Sequence, residues 1–509
     1  MTVVLLSLVV AFSGCGSSSS SLATAPPQNP IGANLTQISS DPYTVAPGQH
    51  ATEVEPHMLA YGTTLVAAFQ TGRIVDGGAI DTGWATSTDG GTTWAHGFLP
   101  GLTTGEGSGP YDSVSDPVVA YDAKHGVWMI ASLPISNTSQ TPAVVVNRSV
   151  DGGMTWGGPV SVDATSTNSD KNWIVCDNGA SSPYLGHCYM EWDNPTGVNG
   201  DDILMSTSSD GGLTWSAPTP TAGGGSSGIG GQPLVQPSGK VVVPIQTNTS
   251  NAIQEAAFIS SDGGASWSAQ VVITNIQLHH DAARIRSGPL PSAAIDGAGT
   301  VWTVWEDCRF RAACASNDLV YSTSSDGVTW SAVTRVPIDA TTSTADYFIP
   351  GIGIDPATSG ATAHIALHYY FYSTSNCTSS TCQLNVGYVS SANGGTTWNS
   401  PVTLAGPMQM GWLPNSQNGL MVGDYIATAF TMGVPHGVFA VASETSGTTF
   451  NEAMYTAQGL STAATGRQFS SAGDKPLHNL SDPIEAEHPE KRPPLRSQQT
   501  RRSHLHQAR

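Results

Sequence analysis

Five short phrases carry the residues most able to do chemistry: Glu55-Pro56, Asp116-Pro117, Asp170-Lys171, Asp346-Tyr347 and Asp424-Tyr425. Each opens an apolar run, and the first three lie 61 and 54 residues apart, the scale of a repeated supersecondary unit. A carboxylate can exchange a proton with a reacting group, and a tyrosine beside a carboxylate can be deprotonated for attack. Cations are scarce. Ten Lys and Arg precede residue 459, and half of them are Arg73, Arg284, Arg286, Arg309 and Arg311. The guanidinium fork is suited to holding a carboxylate. Together these residues would suit a sugar or another acid-bearing ligand: Asp116, Asp170, Asp424, Tyr425 and Tyr347 as catalytic groups, and Glu55, Arg73, Lys171, Arg286, Arg309 and Asp346 as binding groups. Taken singly, Asp-Pro and Asp-Tyr can equally shape strand-opening turns, and each arginine can pair with surplus acid.

Residues this far apart meet only if the fold repeats. One phrase recurs six times: Ser87 to Trp94, Ser149 to Trp156, Ser208 to Trp215, Ser260 to Trp267, Ser325 to Trp330 and Ser391 to Trp398. In three copies it reads Ser-x-Asp-Gly-Gly-x-Thr-Trp, and the others depart from it by one substitution or a shorter turn. The Ser and Asp side chains can bond nearby backbone N–H groups, Gly-Gly supplies positive φ, and Trp anchors the next strand. Between the boxes run three apolar strands, as in Asp116–Asp122, Gly126–Ser132 and Pro142–Arg148. This predicts an all-β chain of four-stranded blades, a β-propeller. After the sixth box come three further strands with no box. Asn34 to Asp41 has nowhere else to pair, so it is expected to supply the missing outer strand. Seven blades result, with six as the alternative.

The box resembles the Asp-box of the sialidase-like superfamily, also called the BNR repeat, over roughly residues 34 to 456. That resemblance implies a propeller and either glycoside hydrolysis of extracellular glycans or, alternatively, a non-catalytic surface-anchored propeller that binds carbohydrate or protein. Sialidases hold a substrate carboxylate with three arginines and use a Tyr nucleophile with a Glu and a separate Asp. Their Phe/Tyr-Arg-Ile-Pro motif is absent. Arg73-Ile74 is followed by Val75, and Arg284-Ile285 by Arg286, so the arginine triad is not carried onto this chain.

Composition narrows the partners. The 33 acidic and 10 basic residues before position 459 argue against nucleic acid, which needs a clustered basic surface. No P-loop, dinucleotide fingerprint or His-Glu-x-x-His motif is present, and no cofactor or metal is expected. In His279-His280-Asp281, adjacent side chains on a strand diverge, which disfavours a shared metal. Residues 1–15 read as a lipoprotein-type signal peptide ending at Cys15, the expected lipidation site for an outer-leaflet anchor. Residues 16–33 read as a Gly/Ser/Pro-rich tether, 34–458 as the propeller, and 459–509 as a disordered basic tail. An exported, cell-surface or periplasmic monomer is expected. The six remaining cysteines fall into close pairs, Cys176/Cys188, Cys308/Cys314 and Cys377/Cys382, which in an exported chain read as disulfides.

Overall fold

The computed structural model describes residues 30–477 except 33, 137–139, 198–200, 222–226, 250 and 465. The expected signal peptide, Cys15, most of the tether and residues 478–509 of the expected tail therefore lie outside the described residues. Within them the chain is all-β, with only short 3-10 turns between strands.

The strands form seven four-stranded antiparallel units in chain order. Their first strands are Glu53–Tyr61, Ser113–Asp122, Asp170–Cys176, Leu234–Val235, Ser292–Ile295, Asp346–Ile354 and Ala427–Thr431. We number the units 1 to 7 accordingly. Units 1 and 2 are linked into one sheet by a single pairing, Ala79 with Val114. Leu35–Gln37 pairs antiparallel with Glu452–Ala457 and becomes the fourth strand of unit 7. The first strands of consecutive units touch along the whole series, and that of unit 7 returns to that of unit 1.

Stacking the units face to face explains why the second strands read as continuous apolar runs. Nearly every residue of Thr64–Arg73 and all but the last of Val127–Ile135 are buried, because each sheet is covered on both sides. Between units 2 and 3, for example, Met129, Val144 and Val146 pack with Ile174, Met190 and Trp192.

The six boxes all form the turn after a third strand. In the first, Ser87 Oγ donates to Asp89 Oδ1 (2.8 Å) and accepts from Gly91 N (2.9 Å). Asp89 Oδ1 also accepts from the backbone N–H groups of Thr92 and Thr93, and Trp94 Nε1 donates to Gly91 O. The Thr93 hydroxyl and N–H, with Ser87, hold the exposed Asp89 carboxyl down at about 2. Both carboxylate oxygens of the aspartate are engaged inside its own turn, which is a structural role for the box. Its tryptophans are not equivalent. Trp398 is 1% exposed and Trp267 4%, whereas Trp94, Trp156, Trp215 and Trp330 are half-buried.

The three expected disulfides are present, Cys176–Cys188, Cys308–Cys314 and Cys377–Cys382. The described part of the expected disordered tail, residues 459–464 and 466–477, instead lies against units 5 and 6. Gln468–Phe469 pairs with Trp398–Asn399, Asn399 Nδ2 donates to the carbonyls of Thr462 and Ala463, and Leu477 N donates to Arg309 O (2.8 Å). Backbone pairing needs no apolar side chains, which is why a polar composition misleads here.

Trp398→Ala should destabilise the protein by about 3–5 kcal/mol, the range for a buried aromatic truncated to Ala. Trp215→Ala should cost roughly half as much. Urea denaturation of both variants checks the order, and equal losses would show that burial does not set the role of the box tryptophan.

Candidate functional site

The first strands share one irregularity. In units 1, 2, 3 and 6 the pairing with the second strand slips by a bulge, at Val54/His57, Ser115/Val118, Asp170/Trp173 and Phe348/Gly351. Inside each bulge one residue takes a left-handed backbone: Glu55 (φ 60°), Asp116 (φ 51°), Lys171 (φ 46°) and Ile349 (φ 48°). Such a conformation costs a non-glycine residue on the order of 1–3 kcal/mol, and a bulge re-aims the side chain it carries. In three of the four units that side chain is charged.

The re-aimed groups meet. Lys171 Nζ donates to Glu55 Oε1 (2.9 Å) and to Asp424, and lies 3.8 Å from Asp116 Oδ2. Arg286 forks onto Asp424, with Nε 2.7 Å from Oδ1. Gln70 donates to Glu55 and to Ser115 Oγ, which donates to Asp116 Oδ1 (2.7 Å). Arg73 NH1 donates to Gln70 Oε1 (3.2 Å) and Gly78 O (2.5 Å), while its Nε has no partner among the described residues. Tyr425 stacks edge-on with Trp173 at 5.2 Å and lies under Lys171 Nζ at 5.7 Å.

Three carboxylates thus face three cations, and all but Asp424 and Arg286 are buried. The Lys171 side chain is 4% exposed, whereas that of Arg286 is 21% exposed. Burial pushes the Glu55 carboxyl up, opposed by Lys171 and reinforced by Asp116 and Asp424. Against the same burial, Arg286 and Lys171 hold Asp424 well below the usual carboxylate range. Burial raises the Tyr425 phenol far above its ordinary value, and its hydroxyl donates to the backbone carbonyl of Pro117 (3.2 Å). A narrow cavity lined by Lys171, Asn172, Trp173, Gly230, Leu290 and Tyr425 adjoins the cluster.

Glu55, Asp116, Lys171, Arg286, Asp424, Tyr425 and Arg73 are therefore brought together. Asp170 stands beside them, its Oδ1 accepting from Lys171 N (3.0 Å). Three residues are not in this cluster. Asp346 and Tyr347 precede the bulge of unit 6, where Ile349-Pro350 takes the place that Asp116-Pro117 has in unit 2. The shared Asp at the strand start sets the wrong register; the shared X-Pro sets the right one. Asp346 Oδ1 instead accepts from Asn317 N (2.7 Å), and Tyr347 donates to Asp339 (2.8 Å) within an apolar layer. Arg309 binds Asp307 through Nε (2.9 Å) and NH2 (2.7 Å) and donates to Asn275 O. It fastens strands together. Gln70 is the residue that sequence reasoning missed, although it stands in the Phe69-Gln70-Thr71-Gly72 run before Arg73.

A second acid group lies around Asp346. Glu306 is buried and Asp281 half-buried near it, and loss of hydration followed by mutual repulsion raises both, Glu306 to about 8. His279 Nε2 is 3.8 Å from Asp346 Oδ2.

Known proteins carry the same repeats. Residues 185–348 match the family described as BNR repeat-like domain. A sialidase of Bacteroides fragilis is 32% identical over 118 residues, 20% of this chain. The matched segment is BNR repeat-like, and the chain is similar there to the sialidase-like BNR-repeat superfamily. The match spans 21% of that sialidase's own length. Among solved structures, the chain is similar to a Hadza microbial sialidase, with 14% identity, TM-score 0.42, and coverage of 84% of this chain and 69% of the other. It is also similar to the NanB sialidase of Streptococcus pneumoniae, with 14% identity, TM-score 0.40, and coverage of 86% and 72%. A Dyadobacter fermentans protein of unknown function shows 17% identity and TM-score 0.45, covering 70% and 99%.

Two predictions follow from the charges. Asp424→Asn leaves Lys171 and Arg286 without their shared partner and should cost about 3–5 kcal/mol, as for a broken buried ion pair; denaturant unfolding measures it. Stability should also be higher at pH 5 than at pH 8. Burial raises Glu53, Asp81 and Glu306 to about 8, and lifts Glu191, Glu255 and Glu452 as well. A carboxyl raised on folding contributes stability that is present below its unfolded value near 4 and is lost as pH rises towards its folded value. Asp424 acts oppositely, losing its contribution only below about pH 4. A Tm lower by on the order of 5 °C at pH 8 is expected; an equal or higher Tm there would contradict the burial of these acids as protonated groups.

Proposed function

We propose that the chain is an exported seven-bladed propeller that binds an acid-bearing glycan at the axial cluster, with Arg286 as the exposed cation, and that it does not hydrolyse it. The seven units, the return of the last first strand to the first, and the pairing of Leu35–Gln37 with the last unit support the propeller. Three disulfides support an oxidising compartment, as an exported lipoprotein anchored through Cys15 would occupy. The glycan follows from the relatives, whose printed names are sialidases.

One observation favours binding over hydrolysis. A nucleophile needs its base within hydrogen-bond reach, and the Tyr425 hydroxyl donates to a backbone carbonyl, not a carboxylate. Asp424 and Asp116 are engaged by Lys171, Arg286 and Ser115. The hydrolytic reading keeps one point in its favour: Glu55 has a raised carboxyl at the cluster, as a general acid requires.

The test pairs turnover with binding. Aryl glycosides of sialic, glucuronic and galacturonic acid should release no aryl alcohol. The corresponding methyl glycosides should bind, and Arg286→Ala should weaken that binding at least tenfold. Turnover that is lost in Tyr425→Phe would establish the hydrolase instead.

A further inference from the structure

Consecutive units are tied near the axis by polar links that cross from one first strand to the next. His57 Nδ1 accepts from Val119 N (3.0 Å) between units 1 and 2, and Asp116 Oδ2 accepts from Lys171 N (3.2 Å) between units 2 and 3. Gln232 Oε1 accepts from Ala293 N (2.7 Å) between units 4 and 5, and Ser292 Oγ accepts from Ile352 N (3.0 Å) between units 5 and 6. Thr428 Oγ1 donates to Gly351 O (2.7 Å), and Glu55 N donates to Val422 O (3.0 Å), completing the series.

The seam between units 3 and 4 differs. Both amide atoms of Asn172, 1% exposed, lack a hydrogen-bond partner among the described residues, as do both carboxyl oxygens of Glu191, 0% exposed. Leaving a buried amide unpaired is unfavourable, because its lost hydration is not replaced. Asn172 also breaks a pattern. The residue after the left-handed position is Pro56, Pro117 and Pro350 in units 1, 2 and 6, and Asn only in unit 3. The narrow cavity lies at this seam, with Asn172 and Lys171 on one side and Gly230 and Gln232 on the other. Glu191 stands behind Gly231, where a Cβ would come within 2.7 Å of its carboxyl carbon. Trp173, Leu290 and Pro291 supply apolar wall.

We infer that this cavity is a subsite for a neutral, hydroxyl-bearing arm of a sugar, with Asn172 as the specificity-determining residue. An amide offers one donor and one acceptor side, which matches a hydroxyl that both accepts and donates. The apolar wall receives the carbon that carries the hydroxyl. The cavity is too narrow for a whole ring, so only an arm enters, displacing any water held there. This rests on the anion-binding reading in one respect: Lys171 and Tyr425 line both places, so a single acidic sugar would reach Arg286 with its carboxylate and Asn172 with its hydroxyl.

Asn172→Pro tests it, because the same X-Pro geometry already stands in three other units. The variant should melt no lower than the parent. Calorimetric titration with the methyl glycosides of sialic, glucuronic and galacturonic acid, with acetate, and with neutral methyl hexosides gives distinct outcomes. In the parent, at least one acidic glycoside should bind tenfold or more tightly than acetate. Asn172→Pro should remove that advantage and leave acetate binding unchanged. An acidic glycoside that binds no tighter than acetate, or an advantage that survives in Asn172→Pro, overturns the subsite while sparing the anion site. If no anion binds, the anion-binding reading falls. The subsite then stands only if a neutral hexoside binds the parent and not the variant, and is overturned otherwise. Should Asn172→Pro fail to fold, Asn172→Leu, of similar volume and without the amide, carries the same comparisons.

Discussion

One buried ammonium organises the centre of this molecule. Lys171 reaches three carboxylates contributed by units 1, 2 and 7. Burying three acids together would be prohibitive without it, since each loses hydration and repels the others. The same lysine sits in a left-handed backbone inside a bulge, and so do two of the acids facing it, Glu55 and Asp116. Local strain and ion pairing therefore depend on each other. The bulges aim the charges inward, and the charges compensate for the strained backbone. Arg286 and Gln70 take up the acceptor positions that Lys171 cannot fill. A buried network of this type is seldom a large net source of stability. Its value is geometric, because it fixes how units that are distant in sequence face one another.

The repeat was legible in the sequence because everything that defines it is local. Ser, Asp, Gly-Gly and Trp close their hydrogen bonds within eight residues, so composition and spacing suffice. Strand positions were equally legible, as was the need of unit 7 for an outer strand from the N-terminal side. The cluster was legible where a charged residue itself sits at the bulge, at Glu55, Asp116 and Lys171. It was not legible in unit 6, where the bulge residue is Ile349 and the nearby Asp346 and Tyr347 are three and two positions early. A register error of this size is invisible to composition but moves a side chain from the axis into an apolar layer. Gln70, Asn172 and Glu191 were hidden for another reason. Neutral or solitary polar residues on second strands and bulges acquire meaning only once their partners, or the lack of them, are known.

The C-terminal segment shows the converse failure. Residues 459 to 477 contain little that could form a core, and a disordered tail follows naturally from that composition. What orders them is backbone hydrogen bonding to Trp398–Asn399 and to Arg309, helped by Asp474, 3.6 Å from Arg335. Arg335 also binds Asp318 and Asp339, which Arg311 shares. Arg309 and Arg311 of unit 5, which looked available for a substrate, are thus consumed in structural pairs.

That allocation bears on chemistry at the axis. Before residue 459 the chain has only ten cations, and the structure commits Arg309, Arg311 and Arg335 to structural pairs. Arg73 is turned towards Gln70 and Gly78, and Lys171 is saturated by carboxylates. Arg286 alone among the axial cations combines a carboxylate on one edge of its guanidinium with appreciable exposure. A single half-engaged arginine can receive an anionic group and orient it. It cannot by itself supply the nucleophile, base and acid that cleavage of a glycosidic bond requires. With Asp424 held ionised by its two cations and the Tyr425 hydroxyl turned to a backbone carbonyl, neither group has the partner that passing a proton would need, which is why we read the cluster as one that holds a charge.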